Sequence, residues 1–216
     1  MEPLYDAYRK PLKRINKTTG KFTNKSRQFE GSIFYVNGDN KRHTLYKPFR
    51  SKRVELIRSC LINDVVVEIG VNAGHSALLA LTANSNLVYC GVDIGHHGYT
   101  VPCASILEST FPNRFFFHKG DSRNIIPVIF DVFPFIKNKS ILWIIDGSHD
   151  PKIADLDIQN VIAQARNNDT LIFDDIDRVP LHDLIEKYVK QGQVTTIKKT
   201  KLQWLLSIKK NLAPVV

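Results

Sequence analysis

Five short apolar segments recur along this chain, and each one is followed closely by an acidic residue. These acids stand 25–28 residues apart and are Glu68, Asp93, Asp121, Asp146 and Asp174. An interval of that length holds one buried strand and one crossover helix, which is typical of a parallel α/β sheet. Right-handed crossovers bring the carboxyl ends of such strands to one edge of the sheet, where α/β proteins bind ligands. We therefore expect the five carboxylates to converge.

The segments between and after these strands complete the predicted sheet. Ala154, Ile158, Val161 and Ala165 form one apolar helical stripe, and we expect Asp155 and Asp157 to point away from it. Residues 194–198 and 202–208 are typical of a closing antiparallel pair. Together these patterns predict a mostly parallel seven-stranded sheet with an antiparallel C-terminal strand and helices on both faces.

The chain changes in charge near residue 53. Residues 1–53 contain 14 Lys+Arg and 4 Asp+Glu, whereas the whole chain of 216 residues has a formal charge of +9. We interpret residues 1–53 as a basic N-terminal arm or lid with a hairpin turning at residues 37–40, and residues 54–216 as the main domain. The basic and aromatic residues of the arm suit RNA binding. The alternative is a solvated, partly disordered arm that folds over the site or makes a homo-oligomer contact.

Composition argues against a membrane protein. Hydrophobic residues make up 43% of the chain and charged residues 24%, while the longest apolar runs, such as residues 141–145, are far shorter than the roughly 18 residues of a membrane helix. The charged amino terminus lacks the apolar core of a secretory signal. We therefore expect a cytoplasmic protein without a membrane partner.

The first strand end contains a glycine turn. Residues 68–76 read E-I-G-V-N-A-G-H-S, and glycines here allow a tight turn and the close approach of a ligand to the backbone. Glu68 suits a cationic ligand such as the amino group of a methionyl moiety. Asp93 is placed to accept hydrogen bonds from ribose hydroxyls, and Asp121 and Ser122 from an adenine edge. A plain tight turn would explain the glycines alone.

This turn, with an acid about 25 residues later, resembles the class I S-adenosylmethionine-dependent methyltransferases. In particular it is similar to the metal-dependent O-methyltransferases, whose catechol-type members share the glycine pattern. The resemblance covers residues 54–208 and implies a Rossmann-like fold with bound S-adenosylmethionine. The cofactor-binding residues that it implies are Glu68, Gly70, Asn72, Gly74, Ser76, Asp93, Asp121, Ser122 and Asp146.

A second group of residues indicates a metal. Asp146 ends the fourth strand and Asp174 and Asp175 end the fifth, so three carboxylates can meet around one ion. Three oxygen donors without cysteine favour Mg²⁺ or a similar cation such as Mn²⁺. The alternatives are that Asp146 or a neighbour only caps the helix near Pro151, and that Asp175 belongs to a surface ion-pair cluster.

His149 completes a D-x-x-H motif with Asp146. This motif, with the later acidic pair, is similar to the macrolide-sugar O-methyltransferases and the cephalosporin-hydroxylase-like group. That resemblance implies metal binding by the three acids and a general-base role for the histidine, where catechol-type enzymes have a lysine. A histidine titrates near neutrality and can take a proton from a hydroxyl.

The predicted function is Mg-dependent O-methylation of a sugar or glycan acceptor with vicinal hydroxyls, with His149 and Asp146 as the catalytic residues. The alternatives are an RNA ribose or cap methyltransferase that uses residues 1–53, a catechol-type enzyme acting on a small molecule, and a binding module without transfer chemistry. The prediction requires the acids to converge, with no ammonium or guanidinium group in the place of the ion.

Overall fold

The computed structural model describes residues 2–23, 32–35 and 45–210. Seven strands form one sheet in the order β3-β2-β1-β4-β5-β7-β6. Their bounds are β1 Val65–Ile69, β2 Val88–Asp93, β3 Phe115–Lys119, β4 Ile141–Ile145, β5 Thr170–Phe173, β6 Val194–Lys199 and β7 Trp204–Ile208. The five predicted parallel strands all form, and β7 pairs antiparallel with both β5 and β6. The predicted fold class is confirmed.

Helices cover both faces of this sheet. Their bounds are α1 Glu2–Phe22, α2 Arg50–Cys60, α3 His75–Ala83, α4 Thr100–Thr110, α5 Ser122–Ile125, α6 Ile129–Val132, α7 Pro151–Gln164 and α8 Val179–Lys190, with 3₁₀ turns at Lys47–Phe49, Ile126–Val128 and Pro134–Ile136. Side chains of α1–α4 pack in one apolar cluster and those of α5–α8 in a second. In β1, Val66 belongs to the first cluster and Val65 and Val67 to the second, because alternate strand residues face opposite sides.

Helix α1 packs against α3 and α4. Tyr8, Leu12 and Ile15 bury their side chains there because they recur at helical spacing on one face. The basic side chains are exposed on the remaining surface of the helix, at Arg9, Lys10, Lys13, Arg14, Lys17 and Lys21. This part of the predicted arm is thus attached to the domain through an apolar face.

The predicted hairpin falls largely outside the described residues. Its turn at residues 37–40 lies outside the described residues, whereas residues 33–35 before the turn are described and form a bend rather than a strand. The backbone N–H of Tyr46 donates a hydrogen bond of 2.8 Å to the carbonyl oxygen of Phe34, so the two flanks of the segment do meet. No helix in the described ranges has the length and apolar character needed to cross a membrane.

The parallel hydrogen bonding continues one residue beyond three strands. The N–H groups of Gly70, Asp146 and Asp174 donate to the carbonyl oxygens of Val92, Ile69 and Ile145 at 2.9–3.1 Å. Gly70 has φ +93°, and a Cβ atom there would lie 2.2 Å from the carbonyl oxygen of Asp146. A glycine is therefore required where β1 ends beside β4, and this contact fixes the position of Asp146.

We expect Gly70→Ala to destabilise the fold more than Gly192→Ala. Both glycines have positive φ, but a Cβ at Gly192 meets no atom within 4 Å. The control should lose about 1–2 kcal/mol from backbone strain alone, whereas Gly70→Ala adds a clash with backbone that costs about 1–3 kcal/mol more. Urea denaturation of the two variants measures the difference, and equal losses would contradict the close contact.

Candidate active site

A cavity of about 1080 Å³ opens at the carboxyl edge of the sheet. It exceeds the roughly 300–1,000 Å³ of a typical single-ligand pocket, so it can hold a cofactor and an acceptor together. The predicted site residues that line it are Gly70, Asn72, Ser76, Asp93, Asp121, Ser122, Asp146, His149, Asp174 and Asp175. Ten residues separated by up to 105 positions in the chain thus reach one cavity, as the sheet topology predicts.

The glycine turn is held by Asp93 at the end of β2. One carboxylate oxygen of Asp93 accepts a hydrogen bond of 2.8 Å from the N–H of Asn72, and the other accepts one of 2.7 Å from the N–H of Gly95. Asn72 itself has φ 54°, a left-handed conformation that asparagine tolerates better than most residues. Asp93 therefore couples the loops after β1 and β2 and lines the cavity between them.

Two of the predicted cofactor contacts do not lie at the cavity wall. Glu68 is 1% exposed beneath the turn, and burial raises the pKa of its carboxyl to about 8 although the Tyr89 and Ser76 hydroxyls oppose the rise. Gly74 has φ +75°, and a Cβ there would lie 2.3 Å from Cδ1 of Leu107. Gly74 thus allows α3 to approach α4, and its requirement for glycine comes from packing.

The three acids predicted to hold a metal do converge. One ligand oxygen from each of Asp146, Asp174 and Asp175 lies within 4.8 Å of the other two. Burial and the neighbouring Asp174 charge raise the pKa of Asp146 well above its usual value. Burial also raises the pKa of Asp174, although Lys52 opposes the rise. These shifts are the expected result of crowding like charges where water is scarce.

Lys52 on α2 joins this acidic cluster, which the sequence interpretation did not anticipate. Its ammonium group forms an ion pair with Asp174, and its side chain is only 12% exposed. Burial alone would lower the pKa of Lys52, but the charges of Asp174 and Asp146 outweigh burial and raise it above its usual value. The metal-site prediction required that no ammonium group lie in the place of the ion, and Lys52 does not meet that requirement. A cation that binds there has to compete with Lys52.

The donor set nevertheless fits a divalent cation. Three carboxylates and one ammonium leave an excess of negative charge when ionised, and the pKa of Asp146 stays raised with Lys52 in place. Carboxylate oxygens at this mutual spacing are the donors that Mg²⁺ and Mn²⁺ prefer. Asp146, Asp174 and Asp175 are thus the residues that would hold the ion.

His149 contacts the cluster through Asp175. Its Nε2 lies 2.5 Å from Oδ2 of Asp175, and its imidazole is 47% exposed toward the cavity. Burial opposes ionisation of Asp175, but the His149 hydrogen bond and the Lys52 charge together lower the pKa of this carboxyl. Asp175 has φ 55°, a conformation that costs about 1–3 kcal/mol and is concentrated at functional sites.

The helix that begins near Pro151 is capped by a neighbour of Asp146 and not by Asp146 itself. Asp150 caps α7, because its carboxylate accepts a hydrogen bond of 2.8 Å from the N–H of Lys152. Ser148 in turn accepts a hydrogen bond of 3.1 Å from the N–H of Asp150. Asp146 is therefore not needed to begin the helix, and its carboxyl faces the acidic cluster.

The N-terminal region supplies part of the cavity wall, which the sequence analysis assigned only as an arm or lid. Arg53, 2% exposed, donates hydrogen bonds to the carbonyl oxygens of Ile33 at 2.9 Å and Tyr46 at 3.1 Å. The guanidinium group thus fastens the two segments that flank residues 36–44 to α2. Ile33 and Tyr46 both line the cavity. A basic residue whose role is to bind two carbonyl groups leaves no distinctive sequence signal.

Asp157 on α7 has a position that the helical pattern did not specify. Expected to point away from the apolar stripe, it is nevertheless 1% exposed and lines the cavity with Ile153, one turn earlier on the same helix. The apolar stripe of Ala154, Ile158 and Val161 is buried as predicted. Asp157 is buried because α7 is covered on a second side by α5 and the following 3₁₀ turn, and helical periodicity alone does not reveal that contact.

Glu68→Gln should stabilise the fold at neutral and mildly alkaline pH. A carboxyl whose pKa rises from 4.5 to about 8 on folding holds its proton in the folded state after the unfolded chain has lost it. Its contribution is therefore fully present below pH 4.5 and is lost as the pH rises toward 8, by at most about 1.4 kcal/mol per pH unit. Denaturation curves from pH 4.5 to 8 should show a weaker decline for the variant. A parallel decline in both proteins would count against the shift.

The profile of the family described as a methyltransferase domain matches residues 67–176, just over half of the chain. No curated protein matches the sequence significantly.

Several solved methyltransferases have a similar fold. The O-methyltransferase TomG from Streptomyces achromogenes, solved with S-adenosylmethionine, is 13% identical over 93% of this chain and 90% of its own, with a TM-score of 0.63. CalS11, a TDP-rhamnose 3'-O-methyltransferase of calicheamicin biosynthesis, is 16% identical over 75% and 80%, with a TM-score of 0.58. MycE of the mycinamycin pathway, solved with Mg and S-adenosylhomocysteine, is 13% identical over 94% and 56%, with a TM-score of 0.55.

The glycine turn, the sheet order and the family match all agree with the resemblance stated from residues 68–76. The chain belongs to the methyltransferase-domain family and has the Rossmann-like fold of the class I S-adenosylmethionine-dependent enzymes.

Proposed function

We propose that this protein transfers a methyl group from S-adenosylmethionine to a sugar or glycan hydroxyl with the help of a divalent cation. The observation that carries this proposal is the meeting of Asp146, Asp174, Asp175 and His149 in the cavity that also contains the glycine turn. The solved neighbours add support, because one was crystallised with S-adenosylmethionine, one with Mg and one acts on a sugar nucleotide.

The cofactor is assigned to the β1–β3 side of the cavity. Gly70, Asn72 and Ser76 line the cavity there, Asp93 has the acceptor oxygens for ribose hydroxyls, and Asp121 and Ser122 also line it. This placement directs the sulfonium methyl group toward the acids at the ends of β4 and β5. A cationic sulfonium is favoured beside carboxylates for the same reason that Lys52 is.

The cation is assigned to Asp146, Asp174 and Asp175. When bound, a divalent cation supplies Lewis acidity that makes a substrate hydroxyl easier to deprotonate. For the ion to enter, Lys52 must leave Asp174, and one oxygen of Asp175 must remain available beside its contact with His149.

His149 is assigned as the general base. The acceptor oxygen forms a bond to the methyl carbon as the carbon–sulfur bond breaks, and the bonding electrons return to sulfur to give a neutral thioether. The hydroxyl proton moves to the imidazole of His149. Asp175, 2.5 Å from Nε2, orients the ring and stabilises the imidazolium that forms. Most of the remaining work is the alignment of oxygen, carbon and sulfur.

A sugar acceptor is supported by an aromatic pair in the cavity wall. Tyr46 and Phe49 line the cavity as an edge-to-face pair with ring centroids 4.9 Å apart, next to Lys52. Aromatic rings offer an apolar surface to the C–H face of a sugar while the acids engage its hydroxyls. The acceptor side is thus built from residues that precede β1.

An RNA acceptor is the second candidate, and the exposed face of α1 favours it. Six basic side chains of this helix face solvent, and such a row can neutralise backbone phosphates. Phe22 at the end of α1 lies close to Gly98, beside the cavity-lining His97. The C-terminal end of this basic helix therefore lies near a loop that lines the cavity.

An acceptor panel with and without EDTA tests the proposal. Purified protein is incubated with S-adenosylmethionine and TDP-rhamnose, a catechol or a short RNA, and the methylated product is measured by mass spectrometry. We expect turnover on the sugar nucleotide, its loss in EDTA and its recovery with Mg²⁺. Asp146→Asn should lose at least a hundredfold in rate, because it removes a charged oxygen donor and the neighbour of the acceptor. Binding of S-adenosylhomocysteine to this variant should change little.

The other outcomes separate the candidates. Turnover on RNA alone that falls with salt would establish the second candidate in place of the first. Turnover on the sugar that persists in EDTA but disappears in Lys52→Met would assign the cation's role to the lysine and contradict the metal site.

Lys52→Met should bind the divalent cation about tenfold more tightly than the wild-type protein. The substitution removes the ammonium group that competes for Asp174 and keeps an unbranched side chain of similar length. Titration calorimetry with Mn²⁺ measures the affinity, and Lys47→Met, an exposed lysine just before α2, is the control that should not change it. An unchanged affinity in Lys52→Met would show that Lys52 does not occupy the position of the ion.

A further inference from the structure

Asp157 on α7 is a buried acid that the catalytic assignment does not use. Its side chain is 1% exposed, and neither carboxylate oxygen makes a well-formed hydrogen bond within the described residues. It nevertheless lines the cavity. Apart from the nearby Ser122 hydroxyl, no hydrogen-bond donor of the described residues reaches this buried carboxyl. Ionising it without further donors is costly, so a donor from a ligand is the expected partner.

The surroundings of Asp157 locate it at one end of the cavity. Helix α7 packs there against α5. The charged side chains that act on the Asp157 carboxyl are Asp121 and Arg123. Burial and the Asp121 charge raise the pKa of Asp157 to about 6, although Ser122 and Arg123 oppose the rise. Asp157 thus lies at the end of the cavity that contains Asp121 and Ser122, the residues that follow β3.

The carboxylate of Asp121, the acid predicted to meet adenine, already accepts hydrogen bonds from Arg123. It caps α5 by accepting a hydrogen bond of 3.0 Å from the N–H of Arg123. The same carboxylate accepts hydrogen bonds from the guanidinium group of Arg123, at 2.9 Å from Nε and 2.5 Å from Nη2. Of the two acids at this end, Asp157 is therefore the one with unused acceptor capacity.

The ligand chemistry follows from the cofactor's orientation. With the sulfonium directed to the acids at β4 and β5, the purine lies toward Asp157. The exocyclic amino group of adenine is a hydrogen-bond donor, and a carboxylate is an acceptor that suits it. A purine with a carbonyl group at that position would instead place two acceptors together and leave both without a hydrogen bond.

We propose that Asp157 recognises the exocyclic amino group of the cofactor's adenine and makes the site selective for adenosine over inosine. This inference rests on the proposed function, because it takes S-adenosylmethionine as the cofactor. Ser122 lies beside Asp157 and orients the carboxyl, and Ile153, one turn away, offers an apolar contact to the purine face.

The test compares S-adenosylhomocysteine with S-inosylhomocysteine by titration calorimetry on the full chain. The wild-type protein should prefer the adenosine compound by at least tenfold. Asp157→Asn should reduce that preference at least fivefold, because an amide can accept from the amino group of adenine and donate to the carbonyl of inosine. Asp155→Asn on the same helix is the matched control, since Asp155 contacts Tyr188 and Lys187 and does not line the cavity.

Several results would overturn the inference. Equal wild-type affinity for the two compounds would do so whether or not the variant folds. A parallel loss of both affinities in Asp157→Asn, with an unchanged ratio, would show a structural role only. A collapse of the ratio in Asp121→Asn alone would assign recognition to Asp121. Failure of the wild-type protein to bind S-adenosylhomocysteine at all would overturn the proposed function together with this inference.

Discussion

The parallel pairing of β4 with its neighbours determines the chemistry of this protein. Because β1, β4 and β5 run in register, Asp146 and Asp174 emerge at the same edge, one residue beyond the last paired residues of the sheet. The backbone contact at Gly70 leaves Asp146 no other position. Like charges are thus held together by the sheet, and burial together with this repulsion raises the pKa of both carboxyls. A positive charge beside these acids, such as the ammonium group of Lys52, lowers the electrostatic cost of ionising them.

The N-terminal region neutralises part of this negative charge. Lys52 and Arg53 are adjacent on α2 but have separate tasks. Lys52 forms the ion pair with Asp174, while Arg53 binds the carbonyl groups of Ile33 and Tyr46. The same turn of helix therefore neutralises an acid and fastens the wall of the cavity. A movement of this turn would change the charge of the site and its shape together.

The sequence was sufficient for the sheet and for most of the acids because both follow from local patterns. Apolar runs, helix periodicity and right-handed crossovers place Asp93, Asp146 and Asp174 at one edge without any knowledge of distant contacts. Lys52 and Asp157 could not be found in this way. One lies on a helix that packs across the edge from before β1, and the other faces an adjacent short helix, so both depend on tertiary packing that periodicity does not encode.

The glycine turn shows a related limit. Gly70 and Gly74 belong to one motif, yet Gly70 allows contact with β4 and lines the cavity, while Gly74 allows α3 to pack on Leu107. Glu68 begins the same motif and lies beneath the cavity wall. A motif that signals a ligand site thus includes residues that shape the backbone and residues that face the ligand, and the sequence pattern does not distinguish them.

Charge movement connects these features in the proposed reaction. Before transfer, the positive charge of the sulfonium lies beside the acids. After transfer, sulfur is neutral and the proton resides on His149, whose Nε2 lies 2.5 Å from Asp175. The net charge of the cavity is therefore unchanged, and the positive charge moves from sulfur to the imidazole of His149. Because the acids are held by the sheet and need not move, this shift requires little reorganisation, which is the condition under which fixed charges assist a reaction most.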